Sequence, residues 1–344
     1  MNTLGLHVNA WLGGASDDVA VAGCHLKVLN TALDFGKIAD WRARNPDALL
    51  VYREVFPDGS DERDTIGRTD RLARNAERLL PYGVIVETPW NEQMQARDLL
   101  ALHRDLTCHS VMLLRSRGFD RIAVGHFSVQ WPRVADLSLF LPAIHAADYY
   151  SCHTYGAPNI WDDWERNVGH ALAVAEIVKA QTGRDTLLTE FGIDRGVLGE
   201  NLAGYRASGL TASQYADQLR WAGHRLPACV RAAFVFCCGQ FGDWASFDVA
   251  GERPIRDLLN ERWGLPVDFV LGFKSFADAL RARGIDPGIP EHAEAPAINA
   301  YEVVTTQRTT TGEMLWVKGL NRMLFVRTSD GTVVAYRDGN LRVA

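Results

Sequence analysis

No apolar run in this chain approaches the roughly 18 residues that a membrane span requires. No basic cluster offers a face to nucleic acid or to an anionic bilayer either. Across 344 residues, 36 lysines and arginines stand against 42 aspartates and glutamates, a net charge of -6 at pH 7, so neither nucleic acid nor membrane is an expected partner. Cysteine is scarce: the six residues (Cys24, Cys108, Cys152, Cys229, Cys237, Cys238) form no CxxC pair and no regular framework. That spacing argues against a disulfide scaffold and against tetrahedral zinc, and the thiols read as small buried hydrophobes. The first residues, Met1-Asn2-Thr3-Leu4-Gly5-Leu6-His7, lack a cationic segment followed by a secretory core and a small-residue cleavage site. Export by a cleaved signal is therefore not expected; the location is the cytoplasm or, for a phage product, the released lysate or the virion. Nor is there a glycine-rich phosphate loop after the first strand-like run, for which Gly13-Gly14 alone is too little.

What is present is an ordinary globular composition, 47% hydrophobic and 23% charged, on a chain long enough for one large domain and a small one. Short β-branched and leucine-rich runs predict strands over 4–11, 25–29, 48–55, 84–87, 121–126, 148–153, 186–190 and 231–237. Helical spacing fills the intervals at 34–44, 61–80, 95–117, 137–147, 164–182, 213–226 and 254–263, with Gly83, Gly118 and Gly183 as stops. This alternation predicts an α/β fold, a (β/α)8 barrel over 1–265, in preference to a doubly wound open sheet. Beyond it, a short helix at 273–283 and a Gly- and Pro-rich stretch make 266–300 a linker. The remainder, 301–344, alternates strand-like runs with the turns Ser329-Asp330-Gly331 and Asp338-Gly339-Asn340, as a small β meander does.

Barrel enzymes gather their functional groups at the C-terminal ends of the strands. Those ends carry Trp11, Arg53, Asn91-Glu92, His126, His153 with Tyr155, Glu190, and later Gln240 and Trp244. Two of them are glutamates that close apolar runs, Glu92 after Val84-Ile85-Val86-Glu87 and Glu190 after Thr186-Leu187-Leu188-Thr189. Two carboxyls on one cleft can split a glycosidic bond, one protonating the leaving oxygen while the other attacks the carbon. Other roles remain open for each. Asn91-Glu92 can be a helix N-cap pair with Glu92 as a first-turn dipole partner, and Glu190 can be a salt-bridge acceptor for Arg53. Glu87, one strand period inside Glu92, can orient the site or compete for the acid role. His126 and His153 read as pocket or packing residues, since no partner sits at zinc spacing. Trp131, Trp161, Trp164 and Trp244 fall in top-face loops where an indole can stack on a sugar or simply pack a helix.

Taken together, Trp90-Asn91-Glu92, His153-Thr154-Tyr155 and Thr189-Glu190-Phe191-Gly192 resemble the clan A retaining glycoside hydrolases, over residues 3–264. The resemblance implies a (β/α)8 barrel without cofactor or metal, acting on a carbohydrate. It implies Glu92 as general acid/base, Glu190 as nucleophile, Asn91 on the sugar's 2-substituent, Tyr155 as hydrogen-bond donor to the nucleophile, and His153 lining the pocket. Arg53 is the cation expected to keep Glu190 ionised, while burial and a neighbouring negative charge would keep Glu92 protonated. Two details depart from the clan. Its arginine follows strand two, whereas Arg53 follows the third, and its strand-eight tryptophan is absent, Trp244 coming seven residues after Cys237. The tail, with Thr309-Thr310-Thr311-Gly312-Glu313-Met314-Leu315-Trp316, resembles terminal modules of phage and bacterial cell-wall lytic enzymes, which directs the substrate expectation to an envelope glycan. The rivals are a muramidase or glucosaminidase on the same barrel, a silent carbohydrate-binding or virion protein, and a metal-dependent hydrolase.

Overall fold

The computed structural model describes residues 3–11, 23–56, 60–200, 203–239, 242–261 and 280, and the strands of a C-terminal sheet between 295 and 343. Eight parallel strands close into a ring in chain order: β1 (Leu4–Val8), β2 (His25–Leu29), β3 (Leu50–Arg53), β4 (Val84–Glu87), β5 (Ile122–Phe127), β6 (Tyr149–Gly156), β7 (Asp185–Ile193) and β8 (Val230–Cys238), with β8 pairing back to β1. Around them lie α1 (Phe35–Arg44), α2 (Thr65–Ala76), α3 (Leu100–Ser116), α4 (Leu141–Ala146), α5 (Gly169–Thr182), α6 (Ala212–Gly223) and α7 (Arg253–Leu259). This is the (β/α)8 barrel, and closure of the ring excludes the open doubly wound sheet. None of the six cysteines is joined in a disulfide.

Local chemistry sets the element ends. Asp34 caps α1 by accepting from Lys37 N at 3.1 Å, Asp64 caps α2 through Gly67 N, and Thr211 with Gln214 forms a capping box on α6. Gly183 ends α5 in the left-handed conformation, φ 73°, which a side chain would disfavour. The strands are buried on both faces, which is why they read as continuous apolar runs. Inside the ring Val51, Ile85, Ala123, Leu187, Ala232 and Phe234 form one packed layer.

Three boundaries differ from expectation in an informative way. The helix predicted from 95 begins only at Leu100, because the preceding residues form the turn that carries Glu92. Strands β6 and β7 run on to Gly156 and Ile193, past the polar residues at which the sequence reading stopped them. The polar residues are not the end of the strand; they are its inward face near the barrel mouth.

The chain divides into two compact units, Met1–Glu261 and Arg262–Ala344. In the second, β9 (Ala295–Asn299), β10 (Glu302–Thr309), β11 (Gly312–Val317), β12 (Arg322–Arg327), β13 (Val333–Arg337) and β14 (Asn340–Val343) form an antiparallel meander. Its first strand starts inside the stretch read as linker. Pro296 is tolerated there because β9 is an edge strand, where a missing N–H need not break a ladder. The helix expected at 273–283 lies outside the described residues except for Leu280.

Buried neutral histidines make the barrel acid-sensitive. His25 Nδ1 accepts from Leu49 N at 2.9 Å, and His103 packs among Trp90, Phe127 and Phe140. Burial brings His25 down to about 4 and His103 down to about 3. The unfolded chain takes up these protons first, near its ordinary 6.5. Their contribution is therefore complete above that value and declines as pH falls toward 4. The urea midpoint is expected to be lower at about pH 5 than at about pH 7; equal midpoints would contradict the burial of neutral imidazoles.

Candidate active site

Glu190 stands on the inner face of β7 and is held from two other strands. Arg53 Nη1, at the end of β3, donates to Oε1 at 2.6 Å, and the Tyr155 hydroxyl on β6 donates to Oε2 at 2.7 Å. The same arginine nitrogen donates to Asn91 Oδ1 at 2.6 Å, tying the β4 loop to the pair. His153 Nδ1 lies 2.7 Å from Glu92 Oε1 and 3.4 Å from Glu190 Oε2. One oxygen from each glutamate and this imidazole nitrogen all fall within 4.8 Å of one another. Residues from β3, β4, β6 and β7 thus meet at one end of the ring. Glu92 faces His153, and α3 starts eight residues later, which removes the N-cap reading.

The two carboxyls live in different surroundings. Burial by itself would push Glu190 up; His153, Arg53, Lys27 and His7 outweigh it and hold the carboxyl well below the usual carboxylate range. Burial and the adjacent Glu190 push the Tyr155 phenol far up, so it remains a donor. Glu92 was expected to be buried and is not: its side chain is 39% exposed. The reason is its position in a turn, with φ 53° and its N–H donating to His126 O at 3.0 Å. Left-handed backbone at a non-glycine residue is uncommon and fits an over-determined loop.

Directly inside this group is a closed polar tier. Lys27 Nζ lies 3.1 Å from Glu87 Oε2, His126 Nδ1 lies 3.4 Å from Glu87 Oε1, and His126 also bonds Ser151 Oγ and, at 3.2 Å, Thr88 Oγ1. Glu87 is fully buried; against the cost of burial, Lys27, His126 and Arg53 hold it well below the carboxylate range, so it is not placed to act as the acid. His126, expected to line the substrate pocket, is completely enclosed and faces Glu87 instead. The expectation rested on chain position alone, and a bulge at Gly125–Phe127 turns the ring inward.

The aromatic expectations divide. Trp11 donates to Ala32 O at 2.6 Å and carries Lys37 over its ring, so it packs on the turn after β2 and not on the glutamates. Trp131 lies in the turn after β5 with its indole nitrogen buried and unpartnered among the described residues. Trp164 packs edge-on against Trp221, while Trp161 is exposed. Trp244 is 37% exposed and meets Phe236 edge-on at 5.7 Å. Gln240 lies outside the described residues. Phe236, His7 and Lys27 were not singled out from the sequence. Phe236 occupies the inner face near the end of β8, edge-on to His7 at 5.1 Å and to Tyr155 at 6.0 Å. A phenylalanine in an apolar run gives no signal that separates it from core. His7 Nδ1 is 4.0 Å from Glu190 Oε1.

The described residues line cavities, neither of them walled by Glu92 or Glu190 themselves. One of about 210 Å³ is lined by Arg53, Phe56, Arg68 and Asn91, and another of about 500 Å³ by Gln130, Arg166, Asn167 and Val197. Glu92, His153 and Glu190 also form a donor set that could hold a divalent cation. Both Glu190 oxygens already accept from Arg53 and Tyr155, and that cation sits where a second would be repelled.

No family model matches the chain, and no curated protein matches it by sequence. Solved structures do. The catalytic domain of a mannanase from Streptomyces sp. SirexAA-E aligns at 18% identity over 56% of this chain and 66% of that one, TM-score 0.40. A Cellulomonas fimi endo-beta-1,4-mannanase double mutant aligns at 12% identity over 100% and 93%, TM-score 0.47. A glycoside hydrolase family 30 subfamily 8 xylanase from Clostridium acetobutylicum aligns at 10% identity over 94% and 80%, TM-score 0.48.

If the donor set is not a metal centre, dialysis against EDTA leaves the thermal midpoint and any glycosidase activity unchanged. Loss of either, restored by zinc or manganese, would contradict this account of the cluster.

Proposed function

We propose that the barrel is a retaining glycoside hydrolase acting on a polysaccharide or oligosaccharide. The observation that carries the reading is the approach of the Glu92 and Glu190 oxygens, from the turn after β4 and the inner face of β7, to within 4.8 Å. Retaining enzymes hold their carboxyls about 5–5.5 Å apart, whereas inverting enzymes need roughly 6.5–9.5 Å to admit a water. The unequal surroundings of the pair fit a division of labour. Glu190, kept ionised by Arg53 and steadied by Tyr155, is the nucleophile that attacks the anomeric carbon. Glu92, on the solvent side and touching His153, donates a proton to the departing oxygen. It then takes one from the water that releases the glycosyl-enzyme.

In this reading Asn91 addresses the sugar's 2-substituent, fixed by its bond to Arg53, and His153 sets the orientation of Glu92. Phe236 and Trp244 form an apolar wall against which a sugar face can lie. The cavities beside Arg53 and beside Gln130 give room for further units of the chain. The tail's likeness to lytic-enzyme modules favours an envelope or cell-wall glycan, with peptidoglycan as the specific alternative. A protein that only binds glycan would use the same cleft without turnover.

Glu190→Ala and Glu92→Ala are each expected to lower turnover by roughly 10²–10⁴-fold while circular dichroism stays unchanged. The assay is reducing-sugar release from purified cell walls, β-mannan, xylan and storage glycans. Wild-type rates in either variant would remove that residue from its role, and binding without product from any glycan would favour the silent binder.

A further inference from the structure

Just after Leu188, strand β7 carries one residue more than the facing stretch of either neighbour. Against β6, Leu188 pairs with Cys152 and Glu190 with His153; against β8, Leu188 pairs with Ala233 and Phe191 with Val235. Thr189 is the extra residue. Side chains alternate along a strand, and Leu187 belongs to the inward layer. An unbroken β7 would therefore put Thr189 inward and turn Glu190 to the outside. The bulge reverses the parity and brings Glu190 to the inner face beside His153.

A bulge leaves its extra residue out of the ladder. Here the Thr189 carbonyl is taken by Lys27 Nζ, reaching from β2 at 3.1 Å. The same ammonium lies 3.1 Å from Glu87 Oε2, and both side chains are fully buried. An enclosed lysine is a costly donor for one carbonyl unless its charge is used or compensated. The charged or titratable groups facing it are His7 on β1, Arg53 on β3, Glu87 on β4, His126 on β5 and Glu190 on β7. Burial and Arg53 bring Lys27 down to about 8, against the pull of Glu87 and Glu190. Glu190 in turn is faced by His7, Lys27, Arg53, Glu92, His153, Tyr155, Asp194 and Cys237.

We propose that Lys27 is a positioning residue for Glu190: it clamps the bulge through the Thr189 carbonyl and supplies an enclosed positive charge, with Glu87 as the counter-ion that makes a lysine tenable there. The kinetic part of the inference rests on the hydrolase reading; the electrostatic part does not.

The test compares the full chain as wild type, Glu87→Gln and Lys27→Met/Glu87→Gln. The double variant avoids leaving a lone buried carboxylate, which could unfold Lys27→Met alone. Carbon-13 labelling of glutamate δ-carbons reads the titration of Glu190 directly, its resonance assigned by its absence in Glu190→Gln. Adding Lys27→Met to Glu87→Gln is expected to raise the Glu190 midpoint by about one unit or more. On the aryl β-glycoside that the wild type hydrolyses fastest, kcat is expected to fall roughly a hundredfold with KM little changed, and the acid limb to move upward. A folded double variant with the Glu190 midpoint of Glu87→Gln overturns the inference even if the enzyme is active. If the wild type hydrolyses no glycoside, the hydrolase reading fails, and the carbon-13 titration still decides for or against Lys27.

Discussion

A carboxylate enclosed in a strand barrel stays ionised only if cations and donors reach it, and the ion pair between Arg53 and Glu190 is what the rest of this site is arranged around. Desolvation of Glu190 alone would protonate it. His153 at 3.4 Å, Arg53 at 2.6 Å, Lys27 and His7 reverse that balance, and the Tyr155 hydroxyl adds a donor at 2.7 Å. The same guanidinium fixes Asn91 and so the start of the turn bearing Glu92. One arginine therefore couples the charge state of one glutamate to the placement of the other. Glu92, in a left-handed turn with its side chain 39% exposed, meets His153 on the solvent side of its partner.

Strand irregularity does the aiming. Shifts in register occur at His7/Val8 on β1, at Gly125/Phe127 on β5 and around Thr189 on β7. These three lie at the level of the polar residues; one more, at Thr186/Leu187 against β8, lies at the apolar layer below. A barrel with perfect alternation would keep Val51, Ile85 and Leu187 packed as they are, but would turn Glu190 away from Arg53. The apolar layer supplies rigidity, and the bulges decide which polar side chains look into the ring.

This division explains what could be read in advance. The eight strands and most helices were legible because apolar runs and helical spacing are local signals, and caps such as Asp34 and stops such as Gly183 mark their ends. Arg53, Glu190 and Tyr155 were legible because a polar residue late in an apolar strand has few reasons to be there. The direction a residue faces was not legible where a bulge intervenes, so His126 was read as pocket-lining although it serves Glu87. Lys27 and His7 were missed because each lies early in the chain inside a strand that ends on other residues. Phe236 hid in a hydrophobic run. Trp11 was misplaced because position at a strand end does not tell an indole that stacks on ligand from one that donates to Ala32 O.

The central claim is that Glu190 is the atom donor to a covalent sugar intermediate across from Glu92. It is tested most directly by incubating the protein with a panel of 2-fluoro glycosides and locating the adduct by mass spectrometry of proteolytic peptides. The account predicts a single added glycosyl group, on the peptide containing Glu190, and none in Glu190→Gln. A stable adduct on another carboxylate, Glu92 or Glu87 included, would contradict it.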